Sequence, residues 1–139
     1  MNKRSEKGAS GLASQWTYYR NEARRKGFEF ALDREYFKDV VANVCHFCGS
    51  QPARTVKGPR SRQSKYGEDH SEFLTNEIER VDLAQGYVPG NCITCCQICR
   101  KIKRDMDSND FYSWLERTHS FSKKKLVNIP KTAKAVYAP

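Results

Sequence analysis

Long apolar runs are missing from this chain of 139 residues. A bilayer-spanning helix needs about 20 consecutive apolar residues, so no membrane span is expected. No lipidation signal offers another route to a membrane. Apolar residues in general are scarce: 38% are hydrophobic and mean hydropathy is −0.81. A core that thin calls for an added staple. The opening Met1-Asn2-Lys3-Arg4-Ser5 leads into no apolar segment, so no secretory leader is expected and the chain is placed in a reducing, intracellular compartment. Histidine is rare, with only His46, His70 and His119 to serve as an ordinary general base. Acidic residues run out altogether after Arg117, and no internal repeat is visible.

What is plentiful is positive charge. Lys and Arg number 25 against 16 Asp and Glu, a net charge of +9 with a pI near 9.4. That balance favours a polyanionic partner, nucleic acid above all. Cysteine is also abundant for the size, at six. In a reducing compartment six cysteines favour a metal site over disulfides. Two pairs have ligand spacing, Cys45-His46-Phe47-Cys48-Gly49 and Cys96-Gln97-Ile98-Cys99. Two intervening residues let both sulfurs of a pair face one ion, and two pairs complete a tetrahedral zinc shell. Cys92 and Cys95 share the spacing and form the competing pair. Cys96 and Cys99 are preferred because basic, helix-forming residues follow them directly. Cys92 and Cys95 are then small buried residues. A shell of this kind clamps the polar segment between the pairs, where chemistry is expected.

Along the chain, residues 1–12 read as a flexible Gly/Ser/Lys tail. Residues 13–44 read as a helical lead-in. Its first helix covers about Ser14 to Lys26, with Trp16, Tyr19 and Ala23 on one face and Gly27 as C-cap. Asp33 caps a second helix whose apolar face is Phe37, Val40 and Val41. Residues 45–104 form the core, with a basic flexible loop at 50–76. Ile78 to Leu83 and Tyr87 to Thr94 read as a strand pair, and helix resumes near Cys99. Ser108 caps a last helix over 108–118 with Phe111, Trp114 and Leu115 on its buried face. Residues 119–139 are a basic tail.

The run Cys-x-x-Cys-Gly, then Asn76-Glu77-Ile78-Glu79-Arg80-Val81-Asp82, Gly86-Tyr87, Asn91, Cys95-Cys96-x-x-Cys99 and a following Lys resembles phage-type HNH endonucleases. These are zinc-stapled members of the ββα-metal, or His-Me finger, nucleases. The resemblance spans about Tyr18 to Trp114, taking in Arg24-Arg25-Lys26-Gly27-Phe28-Glu29-Phe30 and the Phe111-x-x-Trp114 helix. It implies an α+β fold: a small zinc-stapled ββα-metal core with flanking N- and C-terminal helices and basic tails. It also implies phosphodiester hydrolysis with Mg²⁺ or Mn²⁺ beside the structural Zn²⁺, in a phage-infected cell or an organelle matrix. Attack on a phosphate needs charge neutralisation and an activated nucleophile.

Carried onto this chain, the resemblance puts Asn91 at the middle Asn, which orders the loop. Glu79 and Arg80 fall where the common pattern has Asp and the catalytic His, and Arg100 falls at the final His or Asn. An Arg stays protonated at neutral pH, so Arg80 is no ordinary base. A subfamily with Asp-Arg-x-Asp shares that departure. The candidate catalytic set is Glu79, Arg80, Asp82 and Asn91, with Asp82 or Glu79 on the metal. His70 is a candidate base from the loop, whereas His46 sits inside the first knuckle.

The candidate nucleic-acid contacts are Arg24, Arg25, Arg60, Arg62, Arg100, Lys101, Lys103, Arg104, Lys123, Lys124 and Lys125. Two readings stand side by side. One is a metal-dependent DNA endonuclease. The other is an HNH-fold zinc protein that binds RNA or DNA without cutting, as a structural part of a ribonucleoprotein or other assembly. In the second reading Arg80 and Arg100 form a phosphate clamp.

Overall fold

A computed structural model of the chain describes residues 8–58 and 72–125. Helix α1 covers Ala9–Lys26 and α2 covers Arg34–Ala42. Strands β1 (Arg54–Lys57) and β2 (Glu72–Thr75) pair antiparallel, as do β3 (Glu77–Arg80) and β4 (Cys92–Cys95). Helix α3 (Gln97–Lys103) follows β4 directly, and α4 runs over Ser108–Lys125. The described residues thus form a mixed α+β chain with two two-stranded antiparallel sheets and four helices. None of the helices in the described residues is long and apolar enough to cross a membrane.

Each helix end has a chemical cause. Gly27 takes a left-handed φ of 73°, which a residue without Cβ adopts freely, and the N–H groups of Gly27 and Phe28 turn back onto the last turn of α1. The Asp33 carboxylate accepts from the Tyr36 N–H at 2.8 Å and so starts α2. Cys96 does the same for α3, its sulfur accepting from the Cys99 N–H at 3.4 Å. Gln15, Tyr19 and Ala23, four residues apart, form the buried face of α1, and Phe37 and Val41 that of α2.

The core joins Tyr19, Ala23, Leu32, Phe37, Val41, Ile78, Tyr87 and Cys92, with Trp16, Phe28 and Phe30 packed against it. The Tyr19 ring meets both Phe37 and Tyr87 edge-on. Its hydroxyl accepts from the Ile78 N–H at 3.0 Å and thereby fixes α1 to the middle of β3. Asn76, the single residue between β2 and β3, is held as a corner. Its N–H donates to Val41 O at 2.8 Å, its side-chain amide donates to Asn43 O at 2.9 Å, and Gln15 donates to its carbonyl at 3.2 Å. The segment 28–30 docks beside the hairpin through a parallel bridge between Phe30 and Tyr87.

Several sequence expectations change here. Helix α1 begins at Ala9, so residues 9–12 are helical rather than tail. The expected flexible loop at 50–76 contains β1 and β2, because Arg54 to Lys57 can pair with Glu72 to Thr75 across it. Residues 59–71, which hold Arg60, Arg62 and His70, lie outside the described residues. The β3 strand ends at Arg80 rather than Leu83, since Asp82 forms a turn, and the returning strand begins only at Cys92. The chain divides into two compact units, one ending at Arg104 and the other starting at Asp105, so the last helix is not part of the first unit. Within the second unit, α4 extends seven residues beyond the expected 118, into the basic tail. Its first turn is capped by Asp107, whose carboxylate accepts from the Asn109 N–H at 2.7 Å, not by Ser108, whose buried hydroxyl finds no partner. Phe111 and Trp114 stack on each other along α4.

Candidate functional site

The four cysteines Cys45, Cys48, Cys96 and Cys99 converge, with one sulfur from each lying within 4.8 Å of all the others. Two backbone knuckles deliver them. In the first, the Cys45 N–H donates to Ser50 O at 2.9 Å and the Gly49 N–H returns to Cys45 O at 2.8 Å. Gly49 turns at φ 70° to allow it. The second is the capped start of α3. The His46 N–H donates to Thr94 O at 2.9 Å and ties the first knuckle to β4. Thiolate–zinc bonds of about 2.3 Å at tetrahedral angles place sulfurs about 3.8 Å apart. The sulfurs of Cys48 and Cys96 are 3.7 Å apart. The group therefore has the donors and the dimensions to hold a zinc ion. It is also predisposed to ionise at one edge. Burial opposes charge on Cys48, but hydrogen bonds from Ser50 and from the neighbouring thiols outweigh it and bring the thiol down to about 6. Cys99, deeper in the group, is pushed far up by burial and by its links to Cys48 and Cys96.

Cys92 and Cys95 stand apart from this group. Cys92 belongs to the apolar core and Cys95 is fully buried. Burial pushes the Cys92 thiol up to about 11 and the Cys95 thiol further still. Neutral, buried thiols of this kind pack like small apolar side chains.

The β3–β4 hairpin carries a loop, residues 81–91, fastened from the inside by Asn91. The Asn91 Oδ1 accepts from the Asp82 N–H at 2.8 Å. Its Nδ2 donates to Asp82 O at 3.1 Å and Gly86 O at 2.9 Å. Arg80 fastens the same loop from the other side. Its guanidinium donates to Leu83 O at 3.0 Å and Gln85 O at 2.6 Å, and lies 3.9 Å over the Phe28 ring. Asp82 spends its carboxylate within the loop, accepting from the Ala84 N–H and the Gln85 amide. Those two bonds, the Ala84 one foremost, hold its carboxyl below the usual range.

On the other face of β3, the seam with α3 is built of ion pairs. Glu77 and Glu79, two apart on a strand, share a face, and Arg100 and Lys103, three apart on a helix, share another. Arg100 contacts Glu77 at 2.6 Å, and Arg54 reaches the other oxygen of the same carboxylate at 2.9 Å. Lys103 contacts Glu79 at 3.4 Å with both side chains buried. A buried ammonium needs such a partner, because desolvating it alone costs several kcal/mol.

The candidate catalytic residues therefore share one hairpin but do not gather into one ligand set. Glu79 faces Lys103, Asp82 closes its own turn, and the Asn91 amide is fully used. No group of three or more His, Cys, Asp or Glu donors other than the four cysteines comes together among the described residues. These residues as placed do not fit a divalent-ion shell of the Mg²⁺ type, which is built on converging oxygens. Nor do Arg80 and Arg100 form a phosphate clamp, since loop carbonyls hold one and Glu77 holds the other.

Among the candidate nucleic-acid contacts, Lys103 is corrected. It is 1% exposed and is a structural cation of the seam. Arg25 is tied to Glu22 at 2.8 Å. Arg24, Lys101, Arg104, Lys123 and Lys124 are exposed. Lys125 ends α4, and its side chain is not described. Sequence reasoning missed the seam, although strand alternation of Glu77 and Glu79 against helical spacing of Arg100 and Lys103 was a signal for it.

No family model matches the chain. Over 93 residues, 67% of its length, it is 30% identical to an uncharacterized protein of Acanthamoeba polyphaga mimivirus, and it spans only 14% of that protein. Among solved structures it is similar to the rare-cutting HNH restriction endonuclease PacI, with a TM-score of 0.55 at 18% identity. The match covers 90% of this chain and 92% of that one. The chain thus has the fold of an HNH endonuclease, stapled by a four-cysteine group able to hold zinc.

Proposed function

We propose that this protein is a zinc-stapled DNA-binding protein of the HNH endonuclease type, built to engage the phosphodiester backbone. The observation that carries the reading is the hairpin itself. A cysteine-clamped β3–β4 pair with an Asn91-fastened loop runs straight into α3, on a fold shared with a restriction endonuclease over most of both chains. The net charge of +9 supports a polyanionic partner. In this reading zinc is structural, and its four thiolates fix the two ends of the hairpin unit against each other.

In the endonuclease reading Asn91 is the positioning residue that orders the loop, while Glu79 and Asp82 as placed are held by Lys103 and by the loop itself rather than by a divalent ion. A second reading, DNA binding without cutting, is favoured by one specific observation. The hairpin carboxylates Glu79 and Glu77 are committed to Lys103, Arg100 and Arg54.

Duplex binding and plasmid nicking, measured together across salt and divalent ions, test both. The DNA-binding reading requires affinity that falls steeply with salt; absence of binding at low salt overturns it. Nicking that needs Mg²⁺ or Mn²⁺ and vanishes in Asp82→Ala, at an exposed side chain outside the buried seam, assigns the endonuclease. Binding with no nicking in either ion assigns the second reading.

A further inference from the structure

Six cations of the first unit are already spent. Arg25 and Lys26 share Glu22, Arg54 and Arg100 share Glu77, Lys103 holds Glu79, and Arg80 holds the loop. Two exposed guanidiniums are treated differently. Arg20 on α1 and Arg34 at the start of α2 both lie over the ring of Trp16, at 4.7 Å and 5.1 Å from its centroid. Among the described residues neither has a carboxylate partner. Of the acids closest to Arg34 in sequence, the Asp33 carboxylate accepts from the Tyr36 N–H, and Glu35 forms no ion pair among the described residues. Sharing one ring keeps the two guanidinium carbons at most 9.8 Å apart, the sum of those two distances.

The ring is itself fixed. The Trp16 indole N–H donates to Leu32 O at 3.0 Å, and Phe30 meets the ring edge-on at 5.5 Å. A guanidinium lying over an aromatic face is held by the ring quadrupole without being neutralised. Its N–H edge stays available for phosphate, which Arg recognises in a fork geometry. The two cations thus place two positive charges within reach of neighbouring phosphates of one backbone. Arg24, one helical turn beyond Arg20, is also exposed and extends the row.

We infer that Arg20 and Arg34, mounted on Trp16, form a phosphate-binding site that grips the backbone of duplex DNA at a surface formed by α1 and α2. The site deepens the DNA-binding reading and rests on it. It needs no base contact, so it positions the duplex rather than reads it.

The test compares Arg20→Gln/Arg34→Gln with Lys26→Gln/Lys57→Gln in the whole zinc-loaded chain. Both doubles remove two charges, but the second pair is already held by Glu22 and Glu72. Each lost phosphate contact lowers the slope of log K against log salt by about 0.9, so the first double should lose about 1.8 and bind at least tenfold more weakly at low salt. The second double should stay within about twofold of the unaltered protein. Arg20→Lys/Arg34→Lys should restore most of the slope, which a merely structural loss would not allow. Equal effects of the two Gln doubles, or none from the first, overturn the site.

A second arm separates this site from the DNA-binding reading. With Trp114→Phe, Trp16 is the remaining tryptophan, and its fluorescence reports on inorganic polyphosphate. A response abolished by Arg20→Gln/Arg34→Gln supports the site even if the protein fails to bind duplex DNA. A flat response overturns it even if DNA binds elsewhere.

Discussion

Asn91→Ala puts the fastened loop to its hardest test. The side chain is 5% exposed and makes three hydrogen bonds, one accepted from the Asp82 N–H and two donated to the carbonyls of Asp82 and Gly86. Truncation removes all three at once. A typical intramolecular hydrogen bond contributes about 1 kcal/mol net, and a buried group left unpaired costs about 1–3 kcal/mol. Asp82 is exposed, so water can replace its two lost bonds in part. Gly86 is buried and its carbonyl is not so easily resolvated. The expected cost is therefore about 3 kcal/mol, a large share of the ~5–15 kcal/mol that stabilises an ordinary domain. Urea unfolding at fixed zinc concentration measures it, with an unchanged m-value expected. Hydrogen exchange adds the local reading: the amides of Val81 and Asp82, which face Asn91, should lose protection before those of the α1–α2 core. Asn91→Asp should be no milder, because it keeps the acceptor but turns a carboxylate oxygen toward two carbonyls. A cost below 1 kcal/mol for Asn91→Ala, with protection at Asp82 intact, would show that the loop is held without this amide.

Metal analysis should find one zinc per chain, and chelation should unfold the first unit, since binding of this kind contributes on the order of 10 kcal/mol; Cys96→Ser should behave like chelation, whereas Cys92→Ser should keep the metal. Lys103→Met should destabilise by about 3–5 kcal/mol by stranding Glu79, and Glu79→Leu/Lys103→Met should recover most of it; additive losses in that double-mutant cycle would remove the pair from the seam. Gly86→Ala should cost at least about 2 kcal/mol by overpacking, because a Cβ there lies 2.3 Å from Glu29 O in the bridged segment; a neutral result would mean that segment is not docked. The Asp82 carboxyl has its folded pKa depressed by its loop hydrogen bonds. Its contribution is then complete above the ordinary carboxyl pKa and is lost as pH falls through the depressed value. An NMR titration at or above the ordinary value would contradict those bonds.

The sequence alone determined the features that depend on local spacing and residue chemistry. The Cys-x-x-Cys pairs, the Asp33 and Gly27 helix ends and the Tyr19/Ala23 and Phe37/Val41 faces of α1 and α2 follow from short-range rules that tertiary contacts did not override, while Asn91 as loop tie was implied by the family resemblance. Which cations are free and which are spent was a different matter, decided only by the fold. Lys103 and Arg104 look alike in the sequence, yet one is buried on Glu79 and the other is exposed. Arg80 looks like a phosphate ligand and is instead enclosed by loop carbonyls and the Phe28 ring. Arg34 carries no signal in the sequence, and only α2 brings it onto Trp16, a residue 18 positions earlier. The physical reason is that a charge declares its type in one dimension but acquires its partner in three. The nearest carboxylate or aromatic face comes from a distant stretch of chain, placed there by packing that periodicity does not encode.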